Sequence, residues 1–235
     1  MIQILLPMGG IGLRFQSRYP GIFKPFIKVH DKYLFQYALE SLEGLNTFKV
    51  FFILKEEDAI KYQSMIKSII PRSEIIPIAT QTRGAMETCF LAKDLIDPNE
   101  KLLILDSDLS FQSPSFIEFI NHSKTNENGF PTFEANTSQF SYCETVNNQV
   151  VRTAEKKVIS NQAIVGAYYF GAASSFFQNA SKILSSEKPS IGEFYISPLF
   201  NELIKQGQSV CSFKTQDYFS LGTPEEIDTY LESVL

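Results

Sequence analysis

The stretch that decides the fold is residues 1–30, MIQILLPMGGIGLRFQSRYPGIFKPFIKVH. Residues 2–6 are a short apolar run of the kind that makes a buried strand, and the run breaks at Pro7 and Met8 into a loop carrying Gly9, Gly10 and Gly12. Arg14 follows the last of these glycines, and Lys24-Pro25 lies further along the same loop. Glycines let a backbone approach a phosphate closely and offer it bare N–H groups, while the two cations add charge that amides lack. This is chemistry for a nucleoside triphosphate.

Two common phosphate loops are excluded by what is missing. A Walker A loop needs Lys and Ser or Thr after its last glycine, and here Gly12 is followed by Leu13-Arg14-Phe15. A dinucleotide fingerprint needs a third glycine where Phe15 stands. Glycines alone would also suit an ordinary strand-turn-helix corner; Arg14 and Lys24-Pro25 set this loop apart. The pattern P-M-G-G-x-G-x-R-F followed by K-P resembles the signature of nucleoside-diphosphate-sugar pyrophosphorylases, the sugar-phosphate nucleotidyltransferases.

The whole chain narrows the class further. With 235 residues, 44% of them hydrophobic, it can build one sizeable core, and one domain over residues 1–235 is expected. A net charge of −5 provides no basic field for nucleic acid. Cys89, Cys143 and Cys211 are odd in number and contain no C-x-x-C pair, which argues against a zinc site or a disulfide framework and for a reducing cytoplasm. No apolar run approaches the ~18 residues of a membrane span, and the N-terminus lacks the basic region of a signal peptide, so no membrane partner is expected. Oligomeric state, base and sugar are not written in any motif.

Taken in order, apolar spacing predicts a helix over residues 34–42, a strand over 49–54, a helix over 56–70, a strand over 75–78, a helix over 85–95 and a strand over 102–105. His30, in a turn beside Asp31, reads as a surface residue. This βαβαβ succession calls for an α/β fold with a parallel sheet covered by helices on both faces. The polar run 121–128 reads as a surface loop. Beyond it, extended pieces at 129–135, 141–146 and 150–153, with Asn147-Asn148 as a hairpin turn, suggest antiparallel strands laid across the sheet. Helices at 176–184 and 199–206 and a strand at 209–213 follow.

Open α/β sheets bind ligands past the carboxyl ends of their strands. The strand at 102–105 ends in Asp106-Ser107-Asp108, hard oxygen donors suited to Mg²⁺ carrying a phosphate; alternate residues share a face, so both Asp106 and Asp108 can look toward one ion. The competing reading is that these acids cap a helix near Ser113-Pro114.

The resemblance assigns further residues. Gly84, with Gln81 before it, matches the glycine-containing turn that reads the nucleotide base. Asp108 matches the family's strand-closing Asp, with Asp106 its neighbour. Glu155-Lys156, followed by the strand 163–170 with Gly166, resembles E-K-P and x-x-G-x-Y-x-F; this implies that Glu155 holds a sugar hydroxyl and Lys156 the substrate phosphate, although Lys157 replaces the usual Pro. Taken alone, the E-K-K run would read as a solvated face. Residues 192–197 resemble E-Y-Y-x-T-D and make Glu193 a second sugar contact, with Ser197-Pro198 in place of Thr-Asp. Residues 218–227 resemble D-I-G-T-P-E-D-L, with Thr223 as N-cap and Pro224 at the first helical position. Ser220 stands where the second metal-ligand Asp is usual, leaving the ion to Asp108 and Asp106 with water, or to Asp217 swinging in.

The resemblance covers nearly the whole chain. It implies a Rossmann-like, GT-A-like mixed sheet in one domain. The activity implied joins an NTP to a sugar 1-phosphate, or a similar phosphate monoester, giving an NDP-sugar for surface polysaccharide and pyrophosphate. Pro7, Met8, Gly9, Gly10 and Gly12 would then cradle the triphosphate, Arg14 stabilise the departing pyrophosphate and Lys24 neutralise the α-phosphate. Two rival readings are a metal-dependent glycosyltransferase, because Asp106-Ser107-Asp108 is a D-x-D, and a non-catalytic nucleotide-binding regulatory module, because of Ser220. Arg14 and Lys24 speak against the first, since a glycosyltransferase has no triphosphate to hold.

Overall fold

The apolar run after Met1 forms strand β1 (Ile2–Pro7), whose side chains leave alternately for the two faces of a sheet. In the computed structural model, which describes residues 1–10, 12–186, 189 and 192–233, this strand lies inside the sheet between two parallel neighbours. Two single-turn 3₁₀ helices, Leu13–Phe15 and Lys24–Phe26, shape the loop after it. The chain continues through the short hairpin β2 (Lys28–Val29) and β3 (Lys32–Tyr33), α1 (Leu34–Glu40), β4 (Phe48–Lys55), α2 (Glu56–Ile69) and β5 (Glu74–Ile78). Next come α3 (Ala85–Phe90), β6 (Lys101–Leu105), β7 (Leu109–Gln112), α4 (Pro114–His122), β8 (Glu127–Glu134), β9 (Ser141–Val146) and β10 (Gln149–Glu155). The last elements are β11 (Gln162–Ile164), β12 (Ala167–Phe170), α5 (Ala173–Leu184), α6 (Leu199–Lys205), β13 (Ser209–Lys214), β14 (Asp217–Ser220) and α7 (Pro224–Ser233).

Ten strands form one mixed sheet in the order β11-β9-β10-β13-β8-β12-β6-β1-β4-β5. β6, β1, β4 and β5 are mutually parallel, and β12 joins β6 antiparallel. From β1 the chain winds outward through β4 to β5, then returns to the opposite side of β1 as β6. The strand order therefore reverses between β1 and β6, the place where an α/β sheet opens a crevice at its carboxyl edge.

The period-2 alternation of these strands sorts the core into two layers. Leu5, Phe51, Ile53, Leu102 and Ile104 pack with Met86 and Cys89 of α3, Phe176 of α5 and Phe200 of α6. Leu6, Phe52, Leu54, Leu103 and Leu105 pack on the other face with Phe35 of α1, Ile66 of α2 and Phe116 of α4. Each such fully buried side chain contributes roughly 1.5–3 kcal/mol. A third, smaller cluster of Phe15, Ile27, Val29, Leu34, Tyr37, Leu221 and Ile227 fastens α7 to the loop after β1. The fold is α/β, with helices on both faces as expected.

Several expectations are corrected. The antiparallel strands are not laid across the sheet but extend it edge to edge. Asn147 and Asn148 do turn the β9–β10 hairpin, both with positive φ (49° and 64°), the conformation a tight two-residue turn requires. The expected helix over 85–95 ends at Phe90, and residues beyond it make three-residue turns. There the buried amide of Gln3 bonds both the N–H and the C=O of Asp97, at 2.8 and 2.9 Å, and draws the chain back to β1.

The expected surface loop 121–128 shrinks to residues 123–126. Asn121 bonds the backbone at Gly44 and Asn46, and Asn128, fully buried, bonds Gln208, Ser209 and Gly171. The polarity of Asn128 serves the interior, and that of Asn121 ties α4 to the turn before β4. The expected strand 163–170 breaks at Gly166 (φ +104°) into β11 and β12. Among the described residues no helix is long and apolar enough to cross a membrane.

Candidate active site at the carboxyl ends of β1 and β6

The crevice between β1 and β6 opens into a cleft of about 1070 Å³. Its first wall is the glycine loop, with Pro7, Met8, Gly9, Gly10, Gly12, Arg14 and Lys24. The Met8 N–H bonds Ile53 O at 2.9 Å and prolongs the β1 ladder, so the loop starts from a rigid strand. Gly12 is left-handed (φ +63°), and a Cβ there would lie 3.0 Å from Cβ of Lys24; the missing side chain lets the two arms of the loop close together. Phe15, 1% exposed, anchors the loop below, and the Lys24 ammonium lies 5.4 Å above its ring. Arg14 is exposed on the rim.

The floor is Asp106-Ser107-Asp108, directly after β6. The Asp106 N–H bonds Gly166 O at 2.9 Å, and a Cβ on Gly166 would fall 2.6 Å from Asp106 Oδ2. Gly166 lines the cleft, and its missing side chain leaves the room that the acid occupies. Asp108 Oδ2 takes the Lys24 ammonium at 2.5 Å, with the two side chains 22% and 24% exposed. Burial and the neighbouring Asp108 push the Asp106 carboxyl up to about 8, with Lys24 opposing and Glu155 adding to the shift. These acids cap no helix: β7 intervenes before α4, whose N-cap Ser113 makes no side-chain cap bond.

Could these groups hold a divalent cation? Among the described residues no three His, Cys, Asp or Glu side chains converge as a ready-made cage. The donors are two carboxylates, with the Ser220 hydroxyl beside Asp108: Ser220 Oγ and Asp108 Oδ2 lie 3.6 and 3.0 Å from the position a Cβ on Gly222 would take. Two hard oxygens leave most of a coordination shell to water and phosphate, which suits Mg²⁺ rather than a structural metal. Asp217 does not stand in for the missing acid. It pairs with Gln112 at the far end of β14 while Ser220 pairs with Leu109, a separation of roughly 10 Å at the ordinary strand rise. Asp217 is exposed and is not part of the cleft wall.

The opposite wall carries Glu155, Lys156 and Glu193. Glu155 ends β10 and is 7% exposed, so the solvated-face reading of the E-K-K run fails for it. Its Oε2 accepts hydrogen bonds from the hydroxyls of Ser141 and, at 2.8 Å, Ser197. Ser197, fully buried, is one of the residues that depart from the family pattern, and its hydroxyl holds one carboxylate oxygen of Glu155. Lys156 takes a left-handed backbone (φ +51°), and its ammonium donates to the Tyr195 hydroxyl and lies 4.6 Å above the Tyr195 ring. That hydrogen bond raises its pKa.

Gln81 and Gly84 border the cleft from the loop before α3. Residues on either side of Gly84 are stitched to the segment holding Glu193: the Phe194 N–H bonds Arg83 O at 2.8 Å, and the Met86 N–H bonds Phe194 O at 3.0 Å. Gly84 sits inside this clamp at φ +141°, where a Cβ would lie 2.7 Å from the Phe194 backbone. Two loops distant in sequence are thereby one wall.

Sequence reasoning missed Thr82, Thr88, Ser141, Tyr195, Tyr218 and Glu226, all on the cleft. Glu226 had a readable signal. In Thr223-Pro224-Glu225-Glu226 the Thr223 hydroxyl accepts the Glu226 N–H at 3.2 Å while the Glu226 carboxylate accepts the Gly222 N–H at 2.9 Å, a variant of the capping box. The others meet only through the fold.

Solved structures share this architecture. The nucleoside-diphosphate-sugar pyrophosphorylase of Vibrio cholerae superposes with a TM-score of 0.84 at 24% identity, covering 99% of this chain and 100% of that one. The inositol-1-phosphate CTP transferase of T. maritima gives 0.80 at 14% identity, covering 99% and 94%. A curated relative, the bifunctional protein GlmU of Thermosipho melanesiensis, is 22% identical over 223 residues, 92% of this chain and 46% of that protein. The chain thus spans about half the length of the curated relative it matches. From the third residue of β1 to the last turn of α7, residues 4–232 match the family model for nucleotidyl transferases, and the chain belongs to that family.

Proposed function

We propose that the chain is a sugar-phosphate nucleotidyltransferase, joining an NTP to a sugar 1-phosphate or a similar phosphate monoester with release of pyrophosphate. The observation that carries this reading is the meeting of cations and carboxylates across the switch-point cleft: Arg14 and Lys24 on the loop after β1, Asp106 and Asp108 at the end of β6, with Lys24 in contact with Asp108. Two cations beside two acids suit a triphosphate that releases pyrophosphate, whereas a glycosyltransferase has no triphosphate to hold.

In this mechanism the acceptor phosphate oxygen attacks the α-phosphorus in line, the bond to the β-phosphate oxygen breaks, and pyrophosphate leaves. The protein contributes position and charge rather than covalent chemistry. The amides of Gly9, Gly10 and Gly12 cradle the triphosphate, Lys24 neutralises the α-phosphate, and Arg14 follows the departing pyrophosphate. Lys156 binds the incoming phosphate. Gln81 and Gly84 meet the base, and Glu155 and Glu193 take hydroxyls of the acceptor. Asp106 and Asp108 are the residues that would hold Mg²⁺, which when bound supplies charge neutralisation to the phosphate oxygens. Such a product is the activated form in which a sugar enters polysaccharide synthesis.

The test is a matrix of five triphosphates against phosphorylated sugars and small phosphate esters, scored by pyrophosphate. Release in one combination, dependent on Mg²⁺, is expected. Tight nucleotide binding without release in any combination would turn the reading toward a regulatory module, and release of NDP from an NDP-sugar would turn it toward a glycosyltransferase.

A further inference from the structure

Two hydroxyls, that of Thr82 in the loop before α3 and that of Thr88 within α3, form a directed chain. Thr88, 3% exposed, donates from Oγ1 to Gly84 O at 3.1 Å, and Thr82 Oγ1 lies 2.6 Å from Thr88 Oγ1. The reverse order would send the Thr82 hydrogen to Gly84 O over 3.5 Å, the weaker geometry. Once the Thr88 hydrogen is committed to Gly84, the short contact between the hydroxyls requires the hydrogen of Thr82. A threonine hydroxyl has one hydrogen and two lone pairs, so Thr82 turns only lone pairs toward the cleft that it lines. The chain also abuts the glycine loop, because a Cβ on Gly9 would lie 3.6 Å from Thr88 Oγ1.

We propose that Thr82 determines which nucleobase the cleft takes, by accepting a hydrogen bond from an exocyclic amino group, and that Thr88 is the positioning residue that denies Thr82 a donor role; this rests on the nucleotide reading above. An amino-bearing ring gives Thr82 the N–H it lacks. The oxo counterpart sets a carbonyl against the hydroxyl, lone pair to lone pair, and leaves both unpaired, a mismatch that binding sites discriminate strongly. The ligand class is therefore a nucleoside triphosphate whose base carries an amine at its edge, favoured over the otherwise identical oxo base.

The experiment is calorimetric titration of the full chain, with Mg²⁺ present, against two matched pairs: CTP with UTP, and ATP with ITP. In at least one pair the amino member is expected to bind about tenfold tighter. Thr82→Val brings that ratio close to one, and Thr82→Ser keeps it. Thr88→Val frees the Thr82 hydroxyl to rotate and narrows the ratio by tightening the oxo member, an effect that a merely structural loss would not produce. Equal or tighter binding of the oxo member in both pairs overturns the proposal, as does an unchanged ratio in a folded Thr82→Val. Failure of these four and of GTP and dTTP to bind overturns the nucleotide reading itself, whereas binding without an amino preference overturns this inference alone.

Discussion

Lys24 Nζ and Asp108 Oδ2 stand 2.5 Å apart and join the glycine turn after β1 to the carboxyl end of β6, two segments separated by more than eighty residues. With both side chains about three-quarters buried, the ammonium is held where a polyphosphate and its counter-ion would meet. A positioned cation aimed at developing charge is typically worth ~10²–10³ in rate. Lys24→Ala and Arg14→Ala are each expected to lose turnover in that range while melting cooperatively, as read by pyrophosphate release and thermal denaturation. Wild-type turnover in purified Lys24→Ala would remove this lysine from the mechanism.

Gly166→Ala addresses the acidic side of the same cleft. The new Cβ would fall 2.6 Å from Asp106 Oδ2, at a φ of +104° that an L side chain rarely adopts, so the carboxylate must move. The magnesium concentration giving half-maximal rate is expected to rise, and chelation with EDTA to abolish activity in both forms. An unaltered magnesium requirement would show that Asp106 is not among the ligands.

Gly84→Ala tests the clamp between the loop before α3 and the segment around Phe194. A Cβ 2.7 Å from backbone N and O has no flexible neighbour to displace, and forcing such a conformation costs about 1–3 kcal/mol. For a chain of this size that is a fall of roughly 2–12 °C in Tm. Triphosphate affinity should fall with it, because the wall carrying Gln81 opens. A variant with wild-type melting and affinity would mean that the two loops separate freely.

What the sequence displays of this fold is what local chemistry controls. The run 2–6 ahead of the glycine loop, the continuous apolar runs of β4 and β6, and the Asn147-Asn148 turn each need only their neighbours. The ladder of β7 and β14 was not legible, since Leu109 and Ser220, more than a hundred residues apart in the chain, become partners only in the fold. Asn128 looked like loop chemistry but is a buried hydrogen-bonding hub for Gln208 and Ser209. At the site, the glycine-loop motif pointed to Lys24, the strand end to Asp108 and the family resemblance to Glu155, whereas the hydroxyls that orient Glu155, from Ser141 and Ser197, lie 14 and 42 residues away from it in the chain. Ser197 read as a departure from a pattern, yet it bonds Glu155, and Asp217 read as a spare ligand, yet register sets it at the far end of β14.

The thiols respond to the same core. Burial pushes the Cys89 thiol well up and the Cys143 thiol up to about 12, so neither supplies thiolate near neutral pH, whereas Cys211 is half-buried on β13. At pH 8 a thiol reagent is expected to label one cysteine in the native chain and three in denaturant, Cys211 being the native site by peptide mapping. Rapid native labelling of Cys89 would mean that the layer beneath α3 opens readily.

The last prediction separates charge from packing at the α7 clasp. Arg18 makes a two-pronged ion pair with Asp228, at 2.6 and 2.8 Å, but both side chains are nearly half exposed and screened by solvent. Ile227 is 1% exposed within the cluster of Phe15, Leu34 and Leu221, where removing an isoleucine side chain typically costs about 2–5 kcal/mol. Arg18→Ala should therefore leave Tm almost unchanged, while Ile227→Ala lowers it by several degrees. Because Phe15 lies under the Lys24 ammonium, loosening this cluster reaches the cleft, and Ile227→Ala is also expected to reduce turnover at temperatures where the chain remains folded. If the two substitutions exchange rank in a thermal melt, the clasp is held by its surface ion pair and the buried cluster does not brace the phosphate loop.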